Sequence, residues 1–187
     1  MSTPDKQPDI VLKALKNGGE LAFLRSTRTE TGRLMATLAA CAPGAVVEFG
    51  TGAGVGIAWM RHGAPASTRV VTVEPDEQLA EHARTTFADD DIEIICGTWE
   101  ECQRIDNIGM LHVSLRNLDG LDRDEIAALL PSGAILVIDD FIPSQEWPPH
   151  DFYGVDYVRQ TWLLDKRFTA VDVAVAADVS AVIAVKR

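Results

Sequence analysis

Residues 46–56 read Val46-Val47-Glu48-Phe49-Gly50-Thr51-Gly52-Ala53-Gly54-Val55-Gly56. A β-branched run ends in an acid, and glycine then falls at every second position. An apolar run without alternation, here Ala45 to Phe49, suits a central parallel strand covered on both faces. Glycines this dense after a strand let the backbone turn with φ > 0 and let a ligand lie against the main chain where a Cβ would collide. The dinucleotide fingerprint GxGxxG is not met, because its third glycine falls on Val55 when counted from Gly50 and on Ile57 when counted from Gly52. Glu48 argues the same way, since a carboxylate beside the turn repels a pyrophosphate.

Downstream, strand and helix alternate. Arg69 to Val73 reads as a strand before a helix from Pro75 to Phe87, and Ile92 to Cys96 as a strand before a short helix after Thr98. Gly109 to Leu115 precedes a helix from Asp122 to Leu130, and Ala134 to Asp139 is a fifth strand. This alternation predicts an α/β fold with a doubly wound, mostly parallel seven-stranded sheet, whose ligands bind at the carboxyl ends of the strands. After a Pro-rich loop and a helix over Val155 to Leu164, two strands, Phe168 to Ala174 and Ser180 to Val185, are joined by a link short enough only for a C-terminal antiparallel pair. Upstream, a helix over Ile10 to Leu24, interrupted at Asn17-Gly18-Gly19, and a second over Thr31 to Cys41 are expected as an N-terminal helical cap, residues 1–42, of one domain spanning 1–187. Trp59 and Trp162 are read as packing residues on helices, and His62 and His82 as helix-surface residues.

A chain of 187 residues, 47% hydrophobic, suits one domain with a sizeable core. Its net charge of -11 disfavours nucleic acid, whose binding draws on clustered Lys and Arg, and points to a small molecule or a protein as partner. The polar N-terminal stretch lacks an apolar segment behind basic residues, and no window approaches membrane-span length, so no membrane partner and a cytoplasmic location are expected. Cys41, Cys96 and Cys102 share no metal spacing and are expected as free, mostly buried thiols.

A second acid, Glu74, closes the second strand, where a carboxylate accepts both ribose hydroxyls of an adenosine. Glu48 beside the glycine turn suits a ligand carrying an ammonium and a sulfonium, and S-adenosylmethionine carries both. From about Thr31 onward the chain resembles the class I S-adenosylmethionine-dependent methyltransferases, and is similar within them to the small catechol-type O-methyltransferases. The resemblance rests on Glu48 to Gly54, on Val70-Val71-Thr72-Val73-Glu74, on Gly97-Thr98-Trp99, on Leu130-Pro131-Ser132-Gly133, on Asp139-Asp140 and on the terminal strand pair. It implies that Gly50, Thr51, Gly52 and Gly54 approach the methionyl and ribose parts of the cofactor. Glu48 would meet the methionyl amine directly or through water, Glu74 and Pro75 would lie at the ribose, and Gly97, Thr98 and Trp99 would border the adenine, with Trp99 equally suited to core packing. Thr31-Gly32-Arg33-Leu34 falls where the family's cap helix reaches cofactor and substrate. A homodimer is a further implication.

Metal-dependent members of this group hold a divalent ion with an Asp at the end of the fourth strand and an acidic or Asp-Asn pair after the fifth. Here Ser114 stands near the first position with Arg116 close by, so no metal is expected. Asp139-Asp140 reads equally as a turn pair or as catalytic. Asp140 is the first candidate for a base toward a hydroxyl acceptor, with His150 and His112 behind it. The loop from Ile142 to Tyr153 is expected to wall the acceptor with aromatics and prolines, or to pack against a second subunit. The leading reading is methyl transfer to a small-molecule oxygen. The alternatives are a methyltransferase-fold protein that binds without turnover and, further off, a nicotinamide-dependent oxidoreductase.

Overall fold

The computed structural model describes residues 7–20 and 26–187. In chain order the elements are α1 (Asp9–Glu20), α2 (Thr29–Ala39), β1 (Ala45–Phe49), α3 (Val55–Gly63), β2 (Val70–Glu74), α4 (Glu77–Thr86), β3 (Glu93–Cys96) and α5 (Trp99–Gln103). There follow β4 (Ile108–Ser114), α6 (Arg123–Leu129), β5 (Ile135–Phe141), the two-residue strands β6 (His150–Asp151) and β7 (Gly154–Val155), α7 (Tyr157–Leu163), β8 (Phe168–Ala176) and β9 (Val179–Lys186). The described residues form a seven-stranded sheet ordered β3-β2-β1-β4-β5-β9-β8. β1 pairs in parallel with both β2 and β4, and β9 enters antiparallel between β5 and β8. The strand order reverses between β1 and β4, the switch point at which this architecture opens a crevice. The α/β fold expected from the sequence is the one observed, with the terminal strand pair in place.

Alternation along each strand divides the interior in two. Val47, Phe49, Leu111, Val113 and Leu136 face α5, α6 and α7, whereas Val46, Val70, Met110 and Val137 face the layer of α1 to α4. Burial of these apolar faces supplies the main favourable term in folding. Trp59 and Trp162 lie one in each cluster, as packing residues. Glu48, Thr72, His112 and Asp139 share the helical α1–α4 face by the same alternation, so one polar side chain stands near the carboxyl end of each of four adjacent strands.

Three local expectations change. Helix α1 runs unbroken through Asn17-Gly18-Gly19 because tertiary contacts override the glycines: Asn17 Nδ2 donates to Thr86 Oγ1 at 2.7 Å, and Gly18 packs on Ala53 where a Cβ would collide. The expected continuation to Leu24 lies outside the described residues. The cap is also different in kind: α1 and α2 form part of the packed layer beside α3, and Gly32 is pressed on the Trp59 ring instead of facing the crevice. Lastly, Cys41 follows a helix end and Cys96 ends the edge strand β3, and both are exposed. Only Cys102 is buried, which pushes its thiol up to about 12.

Candidate active site

The crevice at the switch point is a cleft of about 560 Å³. Of the residues singled out in the sequence, Glu48, Gly50, Thr51, Gly52, Glu74, Pro75, Ser114 and Asp140 line it. The turn after β1 positions the first group. Gly50 (φ 89°) and Gly52 (φ 53°) hold left-handed conformations, and a Cβ at Gly50 would strike the Asn117 amide, which donates to Phe49 O at 3.2 Å. The Gly52 N–H donates to Glu74 Oε2 at 2.9 Å and the Asp76 N–H to Glu74 Oε1 at 3.0 Å. Each Glu74 oxygen is thus oriented by one backbone donor and keeps further acceptor capacity toward the cleft.

Beneath the floor runs a buried polar chain. His112 Nδ1 lies 3.2 Å from Glu48 Oε1 and Nε2 lies 3.1 Å from Asp139 Oδ1. As an imidazolium the ring donates to both acids. Burial alone would push His112 down, but the Asp139 and Glu48 carboxylates outweigh it and raise the group to about 10. Thr72 Oγ1 donates to Glu48 Oε2 at 3.2 Å, which makes Thr51 Oγ1 the donor in its 2.6 Å bond to Thr72. Burial raises the Glu48 carboxyl, while His112 and Thr72 pull it back. An arriving cation works in the same direction as His112.

Asp139 and Asp140 are consecutive, yet both reach the cleft. The register of β5 on β9 shifts between Ile138 and Phe141, and Asp140 takes a positive φ of 68°. Such a bulge re-aims a side chain that strict alternation would send to the opposite face, and Asp is one of the few non-glycine residues to tolerate this backbone region. Burial and the neighbouring Asp139 raise the Asp140 carboxyl, with Arg116, His112 and Arg28 opposing. Arg116 Nη2 stands 3.6 Å from Asp140 Oδ2. At the mouth, Arg28 pairs with Asp178 through two bonds of 2.7 and 2.6 Å, joining the segment before α2 to the β8–β9 turn.

Five expected site residues stand outside the cleft lining. Gly54 (φ 81°) caps α3 and packs under Phe87. Gly97 faces Glu101, and Thr98 precedes α5 with its hydroxyl turned to Glu100. Trp99 is core: it is buried and meets Phe49 edge-on at 5.5 Å, so it forms no wall of the cleft. His150 sits in the β6–β7 hairpin with Nδ1 held at 2.8 Å from Pro148 O, which corrects its reading as a second base. The loop around it likewise forms no acceptor wall, since Trp147, Phe152 and Tyr153 are 63%, 83% and 97% exposed. The cap motif gives way to Ser26, Thr27 and Arg28, which do border the cleft. Arg28, Asn117 and Asp178 also line the cleft, and no local pattern in the sequence marks them. His112, a base candidate in the sequence, is the buried partner of Glu48 and Asp139, and the signal for it is an isolated polar residue two positions before Ser114 in an apolar strand.

The donor set does not fit a divalent metal. Ser114 offers a weak oxygen, Asp139 already accepts from His112, and Asp140 faces Arg116, so each acid has a cation of its own.

No family model matches the sequence, and no curated protein does. Solved structures do match along nearly the whole chain, and they define the class of fold: that of the class I methyltransferases. A methyltransferase from Geobacter sulfurreducens aligns with a TM-score of 0.76 at 21% identity, over 99% of this chain and 91% of its own. The O-methyltransferase TomG from Streptomyces achromogenes, involved in tomaymycin synthesis and solved in complex with SAM, aligns at 0.71 and 20%, over 100% and 93%. An O-methyltransferase from Bacillus cereus in complex with SAH aligns at 0.70 and 18%, over 98% and 94%.

Proposed function

We propose that this chain is an enzyme that transfers the methyl group of S-adenosylmethionine to an oxygen of a small-molecule acceptor. The observation that carries this reading is the Glu74 carboxylate, oriented by the Gly52 and Asp76 amides at the edge of a glycine-lined cleft. Its remaining lone pairs suit the two hydroxyls of a ribose. Pro75 and Leu79, beyond it, offer apolar surface to the adenine. Gly50, Thr51 and Gly52 would lie along the methionyl chain, with Glu48 at the ammonium and Ser114 at the reacting end. S-adenosylmethionine supplies an electrophilic methyl carbon and a sulfur that accepts the C–S bonding pair. The chain's residues then have to align the acceptor and take its proton. Asp140 is the group for that proton, because its raised carboxyl lies at the cleft on a backbone that fixes its direction.

The reading extends to a single domain with residues 1–42 as its N-terminal helical segment, to a cytoplasmic location, and to a homodimer without nucleic-acid or membrane partners. Two exposed free thiols suit a reducing compartment. Among the described residues no helix is long and apolar enough to cross a membrane. The exposed aromatics near the β6–β7 hairpin offer a face to a second copy, which light scattering tests.

Calorimetric titration with S-adenosylmethionine and S-adenosylhomocysteine tests the central reading, with NAD as control. Micromolar affinity for both sulfur ligands is expected, weakened about tenfold or more in Glu74→Ala, by the loss of charge-assisted hydrogen bonds. Binding of NAD alone, or of none of the three, would overturn it.

A further inference from the structure

Asp139 and Asp140, near the end of β5, each face a cation, one from β4 and one from the turn after it. Asp139 Oδ1 accepts from His112 Nε2 at 3.1 Å, with both side chains buried. Asp140 Oδ2 lies 3.6 Å from Arg116 Nη2, with both side chains half-exposed at the cleft. Ser114 lies between the two cations in sequence and opposite Asp139 in the strand register. A divalent cation seated on this acid pair would have to break a buried ion pair at one carboxylate and approach a guanidinium at the other. Drawing Asp139 away leaves His112 buried with one of its two partners gone, which is strongly unfavourable, and the guanidinium repels a second cation at short range.

We propose that His112 and Arg116 form a built-in replacement for a divalent cation at the acceptor end of the cleft. His112 withdraws Asp139 from ligand binding, and Arg116 places a positive charge beside Asp140 where the acceptor oxygen would arrive. The assignment rests on the methyl-transfer reading for what the cleft does, but the exclusion of metal rests on the ion pairs alone. Arg116 is well suited to meeting that oxygen. Among the described residues its guanidinium makes no hydrogen bond, so its donors are free to turn to an oxygen that gains negative charge as it gives up its proton. Asp140 keeps its place as proton acceptor, and no ion is needed to make the hydroxyl more acidic. Arg28, the other cation among the described residues that line the cleft, is already committed to Asp178.

Manganese(II) titration followed by electron paramagnetic resonance, with magnesium as competitor, tests this. An Asp140→Asn counterpart of each protein corrects for ions bound elsewhere on an acidic surface. The wild type is expected to bind no more manganese than its Asp140→Asn counterpart. A His112→Gln/Arg116→Gln variant is expected to gain saturable, magnesium-competed binding at least tenfold tighter, lost again on Asp139→Asn. Arg116→Gln alone touches only a half-exposed side chain, so it reports even if the double variant does not fold. It should gain binding in part, through Asp140. Ion binding by the wild type that Asp139→Asn removes would overturn the proposal, and so would variants that gain none. Titration of the same samples with S-adenosylhomocysteine, with and without chelator, keeps the outcomes separate. No affinity for that ligand would sink the methyl-transfer reading and leave the ion result standing.

Discussion

Two buried clusters in this molecule have the same charge arithmetic and opposite surroundings. In one, His112 lies between Glu48 and Asp139. In the other, Arg159 lies between Asp156, 3.1 Å from Nε, and Asp172, 3.0 Å from Nη1. Each is one cation between two carboxylates. Arg159 goes on to donate to the Ile142 and His150 carbonyls and to Ser180, and its guanidinium stacks 5.4 Å above the Phe141 ring. Its Nη1 and Nη2 donors tie the loop after β5 and the β6–β7 hairpin to the β8–β9 pair, while Nε meets Asp156 at the start of α7 as an ion pair without a hydrogen bond. The His112 cluster spends its donors on the two acids alone, and all three side chains border the cleft. Charge count therefore does not distinguish a clamp from a site; what distinguishes them is whether acceptor capacity is left facing open space.

The comparison breaks most visibly at Arg159. Arg159→Ala leaves Asp156 and Asp172 facing each other without their cation and frees the carbonyls of the loop. A loss of about 3–5 kcal/mol of stability is expected, as for one partner removed from a buried pair. Urea denaturation measures it, and a loss below about 1 kcal/mol would mean that the clamp is slack. The folded fraction should bind S-adenosylhomocysteine as the wild type does.

His112→Gln should cost less and, unlike Arg159→Ala, should depend on pH. The folded-state value, about 10, lies above the ordinary 6.5. Stability from the imidazolium is therefore fully present below about pH 6.5 and is lost as pH rises through about 10. The difference between wild type and His112→Gln should shrink across that window, whereas the Arg159→Ala difference should hold constant, because a guanidinium stays charged throughout. Chemical denaturation at pH 6, 8 and 10 reads both. Parallel behaviour of the two variants would show that His112 is not held as a cation.

Much of this contrast was within reach of the sequence, and the reason for the rest is geometric. The strand-helix alternation, the glycine turn and the two acids at strand ends are local patterns, so the fold and most of the cleft lining could be read from Glu48 to Gly52 and at Glu74. Trp99 could not be placed that way, because its position after a strand is compatible with either face of α5, and packing on Phe49 decided it. His150 followed the right strand but was carried off by a hairpin held through Arg159. Arg28 and Asp178, far apart in the chain, meet only once the terminal strands pair beside β5. The pairing of Asp139 with His112 and of Asp140 with Arg116 depended on a one-residue bulge that no local pattern announces.

That bulge gives an intermediate prediction. Asp140→Asn keeps a residue that tolerates the positive φ but removes the carboxylate, whereas Asp140→Ala also strains the backbone, which costs on the order of 1 kcal/mol. Asp140→Asn should therefore melt near the wild type and Asp140→Ala below it, while both abolish methyl transfer to an acceptor once one is identified. Equal melting of the two would show that the bulge does not need its Asp.

The smallest effect belongs to a third cluster, at the surface. Arg167 pairs with Asp165 at 2.6 Å and with Asp124 at 2.8 Å, and Arg123 stands 3.6 Å from Asp165. The hydrogen bond from Arg167 holds the Asp165 carboxyl down at about 2, below its ordinary 3.8. The sign is opposite to that of His112: this stability is present above pH 3.8 and is lost as pH falls through about 2. Asp165 itself is mostly covered, at 6% exposed, but its partners Arg167 and Asp124 are 36% and 76% exposed and solvent screens them, so Asp165→Asn should cost only about 0–1 kcal/mol at neutral pH and progressively less as pH falls through about 2. The substituted amide can still accept from the Arg167 N–H, which leaves the turn before β8 intact. Denaturation at pH 7 and pH 2.5 measures the difference. If Asp165→Asn cost as much as Arg159→Ala, burial would not be what makes an ion cluster costly to break in this fold, and the contrast between clamp and site would lose its energetic basis.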